Sequence, residues 1–161
     1  MDAAASFHKH CLVDRGADAL YLPGWTIDDW RALFEHGQPV TLQAGGVLIR
    51  HGESERALYF VVSGLLEVTG GAQLSETMGR LSRESPGAVI GEVSLFDGRP
   101  RTASVWATQP TVLLKLGLPE LQAFAAQNPR LGNELLFGLG RVLAFRFRRG
   151  EERSRKIGRA D

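Results

Sequence analysis

A chain of 161 residues with 43% apolar and 23% charged residues can bury a core and is too apolar to be disordered. Its formal net charge of +1 selects no partner, and the single cysteine, Cys11, excludes an internal disulfide framework and any four-cysteine zinc site. The longest nearly apolar run, Ala57 to Leu66, contains Ser63 and Gly64 and falls well short of the ~20 residues that span a membrane.

The opening residues, Met1 to Ser6, lack the basic and apolar regions of a secretion signal, so a cytoplasmic protein is expected. Residues 1–38 form an N-terminal helical segment. Thr26 is a candidate N-cap with Asp29 at its third position; Trp30, Leu33 and Phe34 then recur at helical spacing until Gly37. Residues 39–117 change character. Short apolar runs (47–49, 58–62, 65–68, 103–107 and 112–116) alternate with Gly, Pro and Ser clusters, the pattern of an all-β sandwich or roll. Ser63-Gly64 between two such runs predicts a tight hairpin.

From Leu118 the pattern is helical again. One short helix is predicted to Gln127, and Asn128-Pro129 opens a second as N-cap and first-turn proline. Leu135, Leu139 and Val142, flanked by Leu136, Leu143 and Phe147, make a broad apolar stripe that something must cover: the roll, a second subunit, or both. Residues 141–161 hold eight Lys/Arg against three acids, a net +5, while the rest of the chain carries −4. A basic tail of this kind can contact nucleic acid; it also suits a solvated helix end, where cations meet the negative end of the helix dipole.

Residues 89–105 carry the chemistry. Gly91 ends a strand and opens a short helical turn, Glu92 stands at its start, and Arg101 follows Pro100 before the next strand. A carboxylate and a guanidinium framing such a turn suit a ligand with both hydroxyl and phosphate groups. The same two residues could instead pair with each other as a structural salt bridge, and spacing alone does not choose between these uses.

The stretch closely resembles the phosphate-binding cassette of cyclic nucleotide-binding domains: a Gly-Glu pair, a leucine three residues on, a short loop, then Arg-small-Ala-Ser/Thr-Val. Here these are Gly91, Glu92, Leu95, Arg101, Thr102, Ala103, Ser104 and Val105. Gly45, Gly52, Gly64 and Gly87 fall where the family turns between strands, and the resemblance runs from Pro39 to Val142. It implies a mainly β fold with flanking helices, a jelly-roll-like double-stranded β-helix over 39–117 with an N-terminal helix and two C-terminal helices in 118–161, one domain overall.

By the same resemblance Glu92 accepts from a ribose 2′-hydroxyl and Arg101 neutralises a cyclic phosphate, with Gly91, Val93, Ser94 and Ala103 around them. Thr102 stands where cyclic GMP-selective members carry a threonine; some cyclic AMP-preferring channel domains carry it too, so the ligand stays cAMP or cGMP. The base is usually covered by the C-terminal helix, for which Leu139, Val142, Leu143 and Phe145 are candidates. Arg99 reads as solvated.

No catalytic constellation is visible: Ser63 and Ser94 have no adjacent base, so an enzyme is not expected. A metal-binding roll would need clustered ligands, and of the four histidines (His8, His10, His36, His51) only His51 lies in the predicted roll. After the roll, residues 118–161 leave no room for the helix-turn-helix of the family's transcription regulators, which makes DNA binding unexpected. A stand-alone cyclic nucleotide receptor acting on an unidentified protein partner is the leading expectation, with a homodimer through the C-terminal helix. A roll that binds no nucleotide and serves as an interaction module is the alternative.

Overall fold

A computed structural model describes residues 1–16, 19–70 and 79–157; Arg159 and Asp161 of the basic tail lie outside these. Two helices precede the roll rather than one. Helix α1 (Ala3–Cys11) is capped by Asp2, whose carboxylate accepts from the Ala5 N–H at 3.1 Å. Helix α2 (Ile27–Phe34) begins with the expected Thr26–Asp29 capping box, both halves formed.

The roll consists of β1 (Gln38–Leu42), β2 (Val47–Ile49), β3 (Ala57–Ser63), β4 (Leu66–Gly70), β5 (Arg80–Glu84), β6 (Val89–Ile90), β7 (Ala103–Ala107) and β8 (Thr111–Gly117), with the short α3 (Glu92–Asp97) between β6 and β7. These strands form two antiparallel four-stranded sheets, ordered β1-β8-β3-β6 and β2-β7-β4-β5. Helices α4 (Leu118–Gln127) and α5 (Pro129–Ile157) complete the fold. No helix among the described residues is long and apolar enough to cross a membrane.

Two cores meet at β3. Its alternate residues Ala57, Tyr59 and Val61 point into the roll with Ile49, Leu66, Ile90, Val105 and Leu113. Leu58, Phe60 and Val62 point outward into a core shared with the helices. A strand buried on both faces must be apolar at every position, which is why this stretch reads as a continuous run instead of an alternation. The outer core is aromatic: Phe7, Trp25, Trp30, Phe34, Phe60 and Phe124 stack with centroids 4.7–6.4 Å apart. It ties α1, α2 and α4 to the back of one sheet. Cys11 is buried there, and burial pushes its thiol up to about 12.

Helix α5 spends its first turns on this core. Leu131, Leu135, Leu139 and Val142 are all buried. Two glycines that look unfavourable in a helix mark close approaches: a Cβ on Gly132 would lie 2.6 Å from the Ala125 Cβ of α4, and one on Gly138 would lie 2.9 Å from Leu20. Helix α5 begins at Pro129 as expected, with the Asn128 carbonyl accepting from the Gly132 N–H at 2.8 Å, while the Asn128 side-chain amide donates back to the Phe124 carbonyl of α4 at 3.3 Å.

Ser63-Gly64 is not a hairpin. Ser63 pairs with Val112 of β8, whereas Leu66 pairs with Ala107 of β7, so the chain changes sheets at this point. Gly64 makes the corner with φ +97°, and a Cβ there would meet the Pro110 carbonyl and Thr111 Cα, both at 2.6 Å. Sequence shows a turn between two strands but not which sheet receives the second. Gly64→Ala is expected to destabilise the fold by about 2–4 kcal/mol through left-handed strain and the clash. A lower urea midpoint at unchanged m-value would show it.

Candidate functional site

The short segment from β6 to β7 is shaped by its backbone. Gly91 adopts φ +94° and starts α3, which closes on Gly98, also left-handed, whose N–H donates to the Ser94 carbonyl at 3.0 Å. A Cβ on Gly91 would come within 2.5 Å of the Ala57 carbonyl and 2.7 Å of Arg101 Nη1, so the residue has both conformational and steric reasons to be glycine. Arg56 holds the far end of α3, donating Nε and Nη2 to the Leu95 carbonyl at 3.1 and 2.6 Å. Beyond the loop, Arg101 is pinned through its backbone: its N–H donates to the Glu53 carbonyl at 2.8 Å and its carbonyl accepts from Gly52 at 2.9 Å.

The Arg101 side chain is 3% exposed. It donates Nη1 to the Gly91 carbonyl at 3.2 Å and Nη2 to the Ala57 carbonyl at 3.1 Å, and it pairs with Glu55 Oε2 at 3.3 Å. These contacts use three of its five N–H donors. Glu55 also accepts from Tyr59 Oη at 2.7 Å and from Lys115 Nζ. Burial, and then the bond to Glu55, pushes the Tyr59 phenol well above its ordinary range, so it remains a donor.

Glu92, equally buried, has a different counter-ion. Its Oε2 meets Arg146 Nη1 of α5 at 2.6 Å. Arg146 Nη2 donates to the Val89 carbonyl at 2.8 Å and approaches Glu84 Oε2 at 3.5 Å, while Glu84 Oε1 accepts from Ser82 Oγ at 2.6 Å. The Glu92–Arg101 bridge that spacing left open is thus replaced by two separate ion pairs.

Gly91, Glu92, Val93, Ser94, Arg101, Thr102 and Ala103 all line one cavity of about 260 Å³. Ile49, Val68, Ile90 and Val105, from both sheets, give it an apolar wall. The predicted lid residues do not reach it. Leu139 and Val142 are buried against the fold, and Phe145 lies under the Arg141 guanidinium at 5.0 Å; neither they nor Leu143 line the cavity. The helix meets the cavity further along, through Arg146, Arg149, Gly150 and Arg153, because the apolar stripe is consumed by the helical core. Those arginines recur three and four residues apart, a helix-face signal hidden within a tail that read as solvated. Arg99 is exposed, as expected. Among the described residues no group of three or more His, Cys, Asp or Glu is placed to hold a metal ion.

Partial burial works against the Glu55 carboxylate, but hydrogen bonds from Lys115 and Tyr59 outweigh it and hold its pKa below the ordinary value. A carboxyl with a lower pKa folded than unfolded stabilises the fold above its unfolded-state value, and this contribution fades as pH falls through the folded-state value. Glu55→Gln is therefore expected to be less stable than the wild type at neutral pH. The difference should shrink below about pH 4, as measured by urea unfolding across a pH series.

The geometry agrees with what comparison finds. A cyclic nucleotide-binding domain profile matches residues 39–128. The CRP-like cAMP-activated global transcriptional regulator of Mycobacterium tuberculosis is 31% identical over 123 residues, which cover 73% of this chain and 50% of that protein. The chain therefore spans half the length of that relative. A crystal structure of a cyclic nucleotide-binding domain from Methylobacillus flagellatus superposes with a TM-score of 0.74 at 26% identity, covering 94% of this chain and 83% of that one. The Thermus thermophilus catabolite activator protein superposes at 0.70 with 25% identity, covering 84% and 61%. With a profile match over more than half its length and the same roll in solved structures, this chain belongs to the cyclic nucleotide-binding domain family.

Proposed function

We propose that the chain is a receptor for a cyclic nucleotide, cAMP or cGMP, in which residues 1–38, the roll and the C-terminal helices act as one domain. Arg101 takes the cyclic phosphate, Glu92 accepts from the ribose 2′-hydroxyl, and Thr102 lies beside the purine. One observation carries the reading: a buried guanidinium and a buried carboxylate line the same apolar-walled cavity without pairing with each other. Arg101 keeps donors beyond its three protein contacts, and Glu92 keeps Oε1 beyond its bond to Arg146. Such a site binds and releases a ligand; nothing in it activates a nucleophile, so its output is conformational.

Helix α5 is the output element in this reading. Along its outer side Leu136 (41% exposed), Phe137 (74%) and Phe147 (67%) face solvent. Leu136, Gly140, Leu143 and Phe147 repeat at alternating four- and three-residue steps, the seam spacing of paired helices, so the partner proposed for this face is a second copy of the chain.

Calorimetric titration with cAMP and cGMP tests the receptor reading. Saturable binding is expected, weakened at least roughly tenfold in Arg101→Ala because a charge-assisted hydrogen bond is worth about 1.5–3 kcal/mol. Absence of binding, with no rise in melting temperature at high ligand, would leave the roll as an interaction module. Sedimentation equilibrium tests the dimer: concentration-dependent association is expected for the wild type and loss of it for the Leu136→Glu/Phe147→Glu double variant.

A further inference from the structure

The last turn of α1 and the chain beyond it, residues 10–16 and 19–22, strap two parts of the molecule together. On one side the strap holds α5. Both Asp14 oxygens accept from Arg141 Nη2, at 2.9 and 3.0 Å, the Arg141 guanidinium lies 5.5 Å over the Tyr21 ring, and Leu20 and Leu22 pack against Gly138. On the other side it meets the turn from β5 into β6. Ala19 forms an antiparallel bridge with Ala88, Arg15 Nη1 donates to the Pro86 carbonyl at 3.2 Å, and a Cβ on Gly87 would lie 2.5 Å from the His10 Cβ. None of these residues lines the cavity.

The second hand of Arg15 is held by His10, whose Nδ1 lies 2.8 Å from Arg15 Nη2. Arginine has donors only, so Nδ1 is the acceptor and the imidazole is neutral, with its proton on Nε2. A second proton can go only to Nδ1, where it removes the acceptor and sets one cation against another. Burial, and then the positive charges of Arg15 and Lys9, hold the His10 pKa below its ordinary value. Among the described residues no carboxylate offsets them. Ser85, Pro86 and Gly87 of the facing turn carry no charge, nor does β3; Asp14 is engaged by Arg141, and Arg31 of α2 pairs with Asp2 at the opposite end of α1.

We infer that His10 is a pH-operated catch on this strap. Neutral, it holds Arg15 against the Pro86 carbonyl; as an imidazolium it expels Arg15, and the turn is left with the Ala19–Ala88 bridge and the Gly87 contact. A histidine with a lower pKa folded than unfolded stabilises the fold fully above its unfolded-state value, and this contribution is lost as pH falls through the folded-state value. Acidification therefore loosens the strap on its roll side while Asp14 keeps it on α5. The catch does not depend on what the cavity binds.

NMR of the full chain across about pH 5 to 8, the range in which histidine changes charge, tests it. The His10 ring and the Arg15 Nε–H order parameter are followed together. In the wild type His10 is expected to titrate below an ordinary histidine, and the Arg15 order parameter to drop from above to below about 0.6 as it does so. Arg15→Met, which keeps the stem without the fork, should raise the His10 midpoint toward the ordinary value. His10→Gln cannot titrate and still offers a carbonyl oxygen to Arg15, so in this variant Arg15 should stay ordered throughout. An Arg15 that remains equally ordered on both sides of the His10 midpoint would overturn the inference. So would a loss of order that persists in His10→Gln, or a His10 midpoint that Arg15→Met leaves unmoved.

Discussion

Two opposite charges buried in one cavity will neutralise each other unless each is given something better to do. The arrangement around Glu92 and Arg101 is organised by that constraint. Arg101 is drawn to one side by two backbone carbonyls and Glu55, and Glu92 is drawn to the other by Arg146. Losing either counter-ion would strand a buried charge, and breaking such pairs by removing one partner is strongly destabilising, commonly about 3–5 kcal/mol. The fold is thus committed to keeping the two groups apart, which is the condition for either of them to meet a ligand.

The architecture supplies the anchors for this separation. Strand β3, apolar on both faces, cannot shift without exposing two cores, and it carries the Ala57 carbonyl and Tyr59 that flank Arg101. On the opposite side the anchor is α5, whose first turns are fixed by Leu131, Leu135 and Leu139 on the aromatic core. The carboxylate half of the cavity therefore rests on a helix and the guanidinium half on a sheet. These are different kinds of support, since a sheet strand is locked by neighbours on both edges while a helix end can lift.

Much of this was legible in the sequence because it is local. The Thr26–Asp29 capping box, the strand-rich middle, the start and end of α4, and the cassette from Gly91 to Val105 all depend on residues close together in the chain. What was not legible depends on distance. Arg146 lies 54 positions from Glu92, and Glu55 lies 46 positions from Arg101; no periodicity joins either pair. The same holds for the corner at Gly64, where both hairpin and sheet change need a glycine and only tertiary pairing separates them. The lid candidates failed for a simpler reason. An apolar stripe says that a helix is covered, not by what, and here the aromatic core claims it before the cavity is reached.

Arg146 and Phe147 are consecutive residues on a rigid rod, and successive side chains on an α-helix project about 100° apart. One is turned into the roll and the other toward solvent. Any roll of the rod about its own axis that loosens the arginine must swing the phenylalanine through the same angle. In the proposed receptor, rotation at the cavity and rotation at the outer surface would be a single degree of freedom, as on a camshaft, and no hinge would be needed to transmit one to the other.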